Sequence, residues 1–394
     1  MEKKSSVYIV FVKLVFVLSY CVECHGATIK RIPAAPPASE RSPEFRGKLQ
    51  RVVLSILLGS ITGLVCAVVC ACLVRCVFIY MKRVPILKGP VVFSPEISPK
   101  TLQSAVANEN ESQVLGSNPN GKYYMAVLDN GLRIAVKKVE PFVIGSGSGS
   151  PEAHRRIQRE LEILANLRHR HLMMLRAYLC ESVRFCLIYD YIPTGSLEDA
   201  MKRARENELQ LGWDARLRIA VGIIKGLQYL HFTCTPRILH YNLKPSNVML
   251  DADFEPRLGD CGLARIMHTF DGRSSAYNAP ESWPNFSIYT EKSDIFSFGV
   301  ILGILLTGKD PSDPLFGEAA TSTGSGDMGM WFRQLLENGD DAREALDKSL
   351  LGEEMEEDEM LMAVRIAAVC LSDMPADRPS SDELVPMLTQ LHSF

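Results

Sequence analysis

Positive charge is neither in surplus nor gathered: 43 Lys and Arg stand against 46 Asp and Glu, a net charge of −3. The basic patch or stripe that marks a nucleic-acid partner is therefore missing, and no such partner is expected. Cysteine is too scattered to build a scaffold. Of the 11 cysteines, Cys21 and Cys24 fall in an N-terminal apolar stretch, and Cys66, Cys70, Cys72 and Cys76 lie in or beside a second one. Cys180, Cys186, Cys234, Cys261 and Cys370 are dispersed. With no C-x-x-C pair in a soluble region, neither a zinc module nor a disulfide framework can be read. The acidic run Glu353 to Glu359 reads as a solvated helix face or loop without function. What remains is an ordinary globular composition, with room in 394 residues for one large or two small domains plus appendages.

The chain also has little that could face an exterior. Lys3 and Lys4 precede an apolar run from Val7 to Val22, and Gly26-Ala27 follows. This is the layout of a signal peptide over residues 1–27, with an uncleaved signal anchor as the alternative because Lys13 interrupts the run. Residues 28–51 are polar and hold Pro33, Pro36, Pro37 and Pro43, which argues for a short disordered extracellular segment. It is too short for a ligand-binding ectodomain, so a partner must sense any external signal.

Val52 to Val74 is apolar apart from Gly, Ser and Thr. At ~1.5 Å per residue it spans roughly 34 Å, enough for a bilayer core. The preceding targeting segment orients this transmembrane helix with its C-terminal side in the cytosol, a single-pass type I arrangement. Small residues recur every fourth position: Ser55, Gly59, Gly63, Ala67 and Ala71. In lipid, close backbone approach across small residues is a main route to helix association, so the stripe points to a specific helix partner. Residues 75–113 read as a juxtamembrane connector and residues 114–394 as a globular domain.

Within that domain the order of motifs is informative. Leu115-Gly116-Ser117-Asn118-Pro119-Asn120-Gly121 has the form of a glycine-rich phosphate loop in which the middle glycine is Asn118. A side chain there, and the N–H lost at Pro119, spoil the cradle. Tyr123 follows, a bulky ring where an adenine would lie. Ile134-Ala135-Val136-Lys137 matches V-A-I-K, making Lys137 the candidate phosphate contact, and Glu160 is spaced to pair with it. His240-Tyr241-Asn242-Leu243-Lys244-Pro245-Ser246-Asn247 matches H-R-D-L-K-P-x-N with an amide at the base position. Asn242 cannot take the substrate proton that the aspartate would accept. Asn247 and Asp260, the latter in Asp260-Cys261-Gly262, are candidate Mg²⁺ ligands. Glu281, in Ala279-Pro280-Glu281, is matched by Arg378 in Asp377-Arg378-Pro379 as a structural pair. Tyr241 replaces the arginine that clamps an activation-loop phosphate, which argues against control through Thr269, Ser274 or Ser275.

These motifs, with Leu187-Ile188-Tyr189-Asp190-Tyr191, Gly195-Ser196-Leu197 and Leu305-Leu306-Thr307-Gly308, resemble the plant receptor-like kinase family. The His-Tyr-Asn loop and minimal exterior are similar to an inactive member of the CLAVATA receptor system. The resemblance implies an α+β two-lobed protein-kinase-like fold in the cytosol, preceded by a single transmembrane helix. It further implies a pseudokinase adaptor at the plasma membrane, passing through the endoplasmic reticulum membrane during assembly. Such an adaptor pairs with a leucine-rich-repeat receptor-like protein that perceives CLE-type peptides, and recruits cytosolic signalling proteins or kinases. No cofactor is required on this reading. The alternatives are a weakly active Ser/Thr kinase using ATP and Mg²⁺, and a nucleotide-binding switch without transfer.

Overall fold

The computed structural model describes residues 43–81, 89–107, 114–118, 121–139, 151–181, 184–263, 276–282, 288–316, 326–337, 343, 346–350 and 354–391. The signal segment and Thr269, Ser274 and Ser275 lie outside them. The chain divides into two units at Arg83 and Val84.

In the first unit, helix α1 (Pro43–Met81) contains the whole apolar stretch. Proline suits a helix start, where the first-turn N–H has no partner to lose. No further proline follows until Pro85, so the helix runs unbroken. This corrects the expected disordered segment 28–51, whose residues 43–51 are helical. Arg51–Cys76 is long and apolar enough to cross a membrane. Its hydroxyls are satisfied within the helix: Ser55 donates to Val52 O at 2.9 Å, Ser60 to Ile56 O at 2.8 Å and Thr62 to Leu58 O at 2.9 Å. An unpaired hydroxyl would be costly in hydrocarbon. The stripe Ser55, Gly59, Gly63, Ala67 and Ala71 is exposed, and a Cβ added at Gly59 or Gly63 would meet nothing.

The second unit opens with β1 (Val91–Val92) and α2 (Pro99–Ala107). Then come β2 (Val114–Asn118), β3 (Gly121–Val127), β4 (Arg133–Val139), α3 (Pro151–Ala165), β5 (Ala177–Glu181) and β6 (Arg184–Asp190). The strands form one antiparallel sheet in the order β1-β5-β6-β4-β3-β2. Side chains alternate faces along a strand, and β6 uses this fully. Cys186 and Ile188 join Leu102 and Val106 of α2 on one side, while Phe185 and Leu187 join Ile157 and Leu161 of α3 on the other. The connector 75–113 therefore needs correction. Residues 89–107 are part of this lobe, because Leu102 and Val106, one turn apart on α2, need an apolar face to cover.

The larger lobe holds α4 (Leu197–Arg205), α5 (Trp213–Gln228), β7 (Val248–Leu250) and β8 (Pro256–Leu258). It continues with α6 (Glu291–Thr307), α7 (Gly326–Glu337), α8 (Glu354–Cys370) and α9 (Ser381–Gln390). From Ser293 to Thr307 every residue of α6 is buried. A capping box of Thr290 and Ser293 starts α6, and left-handed Gly308 (φ +70°) ends it. A Cβ on Gly303 would lie 2.5 Å from Met328 Sδ, so glycine is what lets α7 approach α6. The acidic run is not wholly idle: Glu359 accepts the Trp213 indole N–H at 2.8 Å, tying α8 to α5.

Candidate functional site

Tyr123 on β3 and Lys137 on β4 are directly opposed in the sheet register, so their side chains share a face. The Lys137 ammonium lies 4.8 Å from the centre of the Tyr123 ring. Both residues reach the same atom of the large lobe. Asp260 Oδ2 accepts the Tyr123 hydroxyl at 2.9 Å and is also bonded by Lys137 Nζ. Lys137 is fully buried and the Asp260 side chain is 5% exposed. Burial pushes the Lys137 ammonium below its ordinary range, against the pull of Asp260. Burial, then Asp260, pushes the Tyr123 phenol well up, so it stays protonated and donates. Asp260 holds φ +62°, a backbone region that non-glycine residues rarely visit.

This arrangement corrects one expectation. The carboxylate partner of Lys137 is Asp260, where spacing had argued for Glu160 on α3. A buried ammonium needs a countercharge in contact, and the turn after β8 brings Asp260 into that position.

The catalytic loop shows what replaces the base. Asn247 Nδ2 donates to the Asn242 backbone carbonyl at 2.7 Å, while Asn242 Nδ2 is buried without a partner. His240 is buried, and burial lowers its pKa, leaving a neutral ring. Tyr241, at φ +66°, packs at a tilt against Tyr289 with centroids 4.8 Å apart. An aromatic contact thus occupies the position expected for a phosphate-clamping arginine. Beneath the loop, buried Asp294 accepts from His231 Nε2 at 2.9 Å, the N–H of His240 at 2.8 Å, the N–H of Tyr241 at 3.0 Å and the Tyr289 hydroxyl at 2.5 Å. Burial raises the Asp294 carboxyl, but its interactions with His231 above all, then His240 and Tyr289, outweigh it and hold the group below the usual carboxylate range.

A cleft of about 310 Å³ opens beside these groups. Tyr123, Ala135, Met173, Tyr189, Met249 and Asp260 are among its lining residues, and Asn247 joins them. Of the expected nucleotide contacts, Leu115 and Gly116 lie on β2 and Gly121 on β3, the strand that carries Tyr123. Asn118 pairs with Gly121 at the end of this hairpin, continuing the strand. Toward Mg²⁺ the two candidates are unequal: Asp260 Oδ2 already holds two donors, whereas Asn247 donates to Asn242 through its amide nitrogen, which leaves the ligating amide oxygen uncommitted by that bond. Cys261 packs against the large-lobe core, and its Sγ is 3.6 Å from Leu258 O. Glycine is required next to it, because Gly262 has φ +72° and a Cβ there would sit 3.0 Å from Leu164.

The second structural pair forms as expected. Arg378 Nη1 and Nη2 donate to Glu281 at 2.7 and 2.8 Å, and its guanidinium lies 4.8 Å from the Phe296 ring centre. Ser293 adds a hydrogen bond to Glu281 at 2.8 Å. Burial raises the Glu281 carboxyl, but Arg378 and Ser293 more than reverse it and hold it down. Sequence reasoning placed Tyr123 in the nucleotide site but missed its bond to Asp260. It missed Tyr289 as well, which no motif marks.

Residues 110–387 match the family model of the protein kinase domain. Over 377 residues the chain is 59% identical to the inactive leucine-rich repeat receptor-like protein kinase CORYNE of Arabidopsis thaliana, covering 94% of this chain and 91% of that protein. It is 35% identical over 325 residues to the leucine-rich repeat receptor-like serine/threonine/tyrosine-protein kinase SOBIR1 of the same plant, covering 77% of this chain and 49% of that protein. Among solved structures, the pseudokinase domain of BIR2, an immune regulator of the RLK/Pelle family, matches with TM-score 0.63 at 29% identity, over 78% of this chain and 91% of that one. The chain belongs to the protein kinase family: it is a receptor pseudokinase on the two-lobed kinase fold, with Asn242 where the catalytic base would stand.

Proposed function

We propose that this receptor pseudokinase works by binding, as the cytosolic adaptor subunit of a plant peptide-receptor complex. Its membrane helix pairs with a leucine-rich-repeat receptor-like protein that perceives a CLE-type peptide. The kinase-like domain then recruits cytosolic signalling proteins or kinases. The site of action is the plasma membrane, with the chain in type I orientation and assembled in the endoplasmic reticulum membrane. ATP and Mg²⁺ are not required. One observation carries the reading: the groups that would hold phosphate and metal, Lys137 and Asp260, are spent on each other and on Tyr123, beside a loop whose base is an amide.

A weakly active Ser/Thr kinase is the second reading, favoured by the retention of Lys137, Asn247 and Asp260. The deciding comparison is phosphate transfer by the parent chain and by a Lys137→Met/Asp260→Asn variant, which removes both charges together. Equal background in the two supports the adaptor; transfer by the parent alone supports the kinase. Partner docking is tested by Gly59→Leu with Gly63→Leu. Both positions have open space around them, so insertion and the helix should persist while partner co-purification falls. Undiminished co-purification would remove the helix from the interface.

A further inference from the structure

We propose that a basic pocket, formed by the segment joining α3 to β5 with the end of β6 and strand β8, docks a phosphorylated side chain of a cytosolic partner protein. The pocket holds about 360 Å³, within the range of ordinary ligand sites. Arg168, Arg170, Arg176 and Arg257 line it, and Asp190 is the one carboxylate among the described lining residues. It shares Met173 and Asp190 with the interlobe cleft. Among the described residues, neither Lys137, nor Asp260, nor any member of the catalytic loop lines it.

The backbone that carries these arginines is held in place. Tyr229, just past α5, accepts the Arg168 N–H at 3.2 Å, and its ring stacks on His169 with centroids 4.9 Å apart. Leu258 of β8 accepts the Met173 N–H and donates to the His171 carbonyl, both at 2.9 Å. Gly222 lets β8 lie close on α5, since a Cβ there would sit 2.4 Å from Pro256 Cγ. With the frame fixed before binding, less ordering opposes association.

The four arginines are not equally engaged. Arg176 is matched to Asp190, donating from Nε and Nη2 at 2.9 Å each. Arg168 gives Nη1 to the carbonyls of Ala165 and Leu167, at 2.5 and 2.8 Å, which fixes its guanidinium while no described bond engages Nε or Nη2. Arg170 and Arg257 meet Glu255 and Asp251 only at 3.4 and 3.7 Å, with side chains 72% and 40% exposed. Exposed ion pairs of this kind hold weakly and exchange readily. His169 stays neutral, because burial, then His171, Arg170 and Lys225, lower its pKa. The positive charge is therefore that of the arginines, with Lys225 beside them. A partner's carboxylate would only repeat what Glu255 and Asp251 already supply. A phosphate monoester brings about −1.5 to −2 charges and three acceptor oxygens, which suits the spare donors of three guanidinium forks. A concave pocket also fits one group on a protein segment better than a flat array of lipid headgroups.

This inference rests on the adaptor reading for the nature of its partner, but its test needs no receptor. The full chain in phosphatidylcholine nanodiscs is titrated with a glycine-flanked phosphoserine peptide, with the same peptide carrying glutamate or serine instead, and with a soluble inositol trisphosphate. The phosphoserine peptide is expected to bind more tightly than either control by roughly tenfold or more. Arg170→Gln with Arg257→Gln should weaken it by a similar factor, and Arg170→Lys with Arg257→Lys, which keeps the charges and loses the forks, should fall between. The lysine pair guards against a folding defect, and all four changes are at exposed side chains. Equal binding of the phosphoserine and glutamate peptides would overturn the proposal, as would unchanged affinity in the glutamine pair. Binding of the inositol trisphosphate without the phosphopeptide would make this a lipid-headgroup site and overturn it too. None of these failures touches the adaptor reading, which partner co-purification through the membrane helix tests separately.

Discussion

Restoring the base by itself should leave the protein inactive. Asn242→Asp returns a proton acceptor to the loop, and a positioned general base contributes ~10²–10⁴ in rate. A bound triphosphate would still have to displace the Tyr123 hydroxyl from Asp260, at 2.9 Å. A hydrogen bond to a charged group is worth about 1.5–3 kcal/mol. It would also have to draw the desolvated Lys137 ammonium off the Tyr123 ring, 4.8 Å away, which costs about 2 kcal/mol. The two together come to about 3.5–5 kcal/mol, or roughly 400- to 5,000-fold. That offsets the gain from the base.

The assay is phosphate incorporation by four proteins: the parent, Asn242→Asp, Tyr123→Val and the double variant. Both single variants should sit at background. The double variant should transfer phosphate well beyond the product of the single effects, since the two changes repair steps in one process. Transfer by Asn242→Asp alone at the rate of the double variant would refute the reasoning, because the Tyr123 contact with Asp260 would then obstruct nothing.

Two further outcomes concern the scaffold. Arg378→Met takes the guanidinium away from Glu281, which keeps only the Ser293 hydroxyl among the donors described, and from the carbonyls of Ser372 and Lys292. A loss of about 3–5 kcal/mol and a Tm fall of about 6–12 °C are expected in thermal unfolding. A loss below about 1 kcal/mol would mean the pair behaves like a surface bridge. Stability should also fall on acidification in two stages. The folded-state pKa of buried His240 is lowered, so its contribution is present above its unfolded value and begins to be lost below about pH 6.5. Glu281 and Asp294 are likewise lowered, so their contributions are lost at lower pH, below about pH 4. Unfolding midpoints measured across pH check this, and a midpoint that rises on acidification from pH 7 to 4 would contradict the assigned signs.

The sequence made much of this legible where chemistry depends on residue type alone. Asn242 cannot act as a base in any fold, and the Glu281–Arg378 pair follows from two motifs that the fold must bring together. The apolar face of α3 was visible because Ile157, Leu161 and Leu164 repeat at helical spacing. Other features depended on tertiary distance. Residues 89–107 looked like a connector because α2 is short, and only the sheet shows what Leu102 and Val106 cover. The choice of Asp260 over Glu160 as partner for Lys137 depends on how the turn after β8 meets the sheet, which spacing along the chain does not encode.

The Lys137–Asp260 contact also explains why a chain without a catalytic base keeps two charged residues of the site. Lys137 is fully enclosed, and Asp260 is its carboxylate. Removing one member of a buried pair leaves an uncompensated charge, at a cost of about 3–5 kcal/mol. Retention of both is therefore what folding alone would require. The same geometry limits a common inference from mutagenesis. Lys137→Glu would set a second carboxylate beside Asp260, and like charges in a low-dielectric site destabilise each other strongly. A defect in that variant would report a damaged lobe junction as readily as lost phosphate transfer. A variant that removes both charges, Lys137→Met with Asp260→Asn, separates the two: if it keeps signalling competence, the pair holds the fold and the protein signals without chemistry.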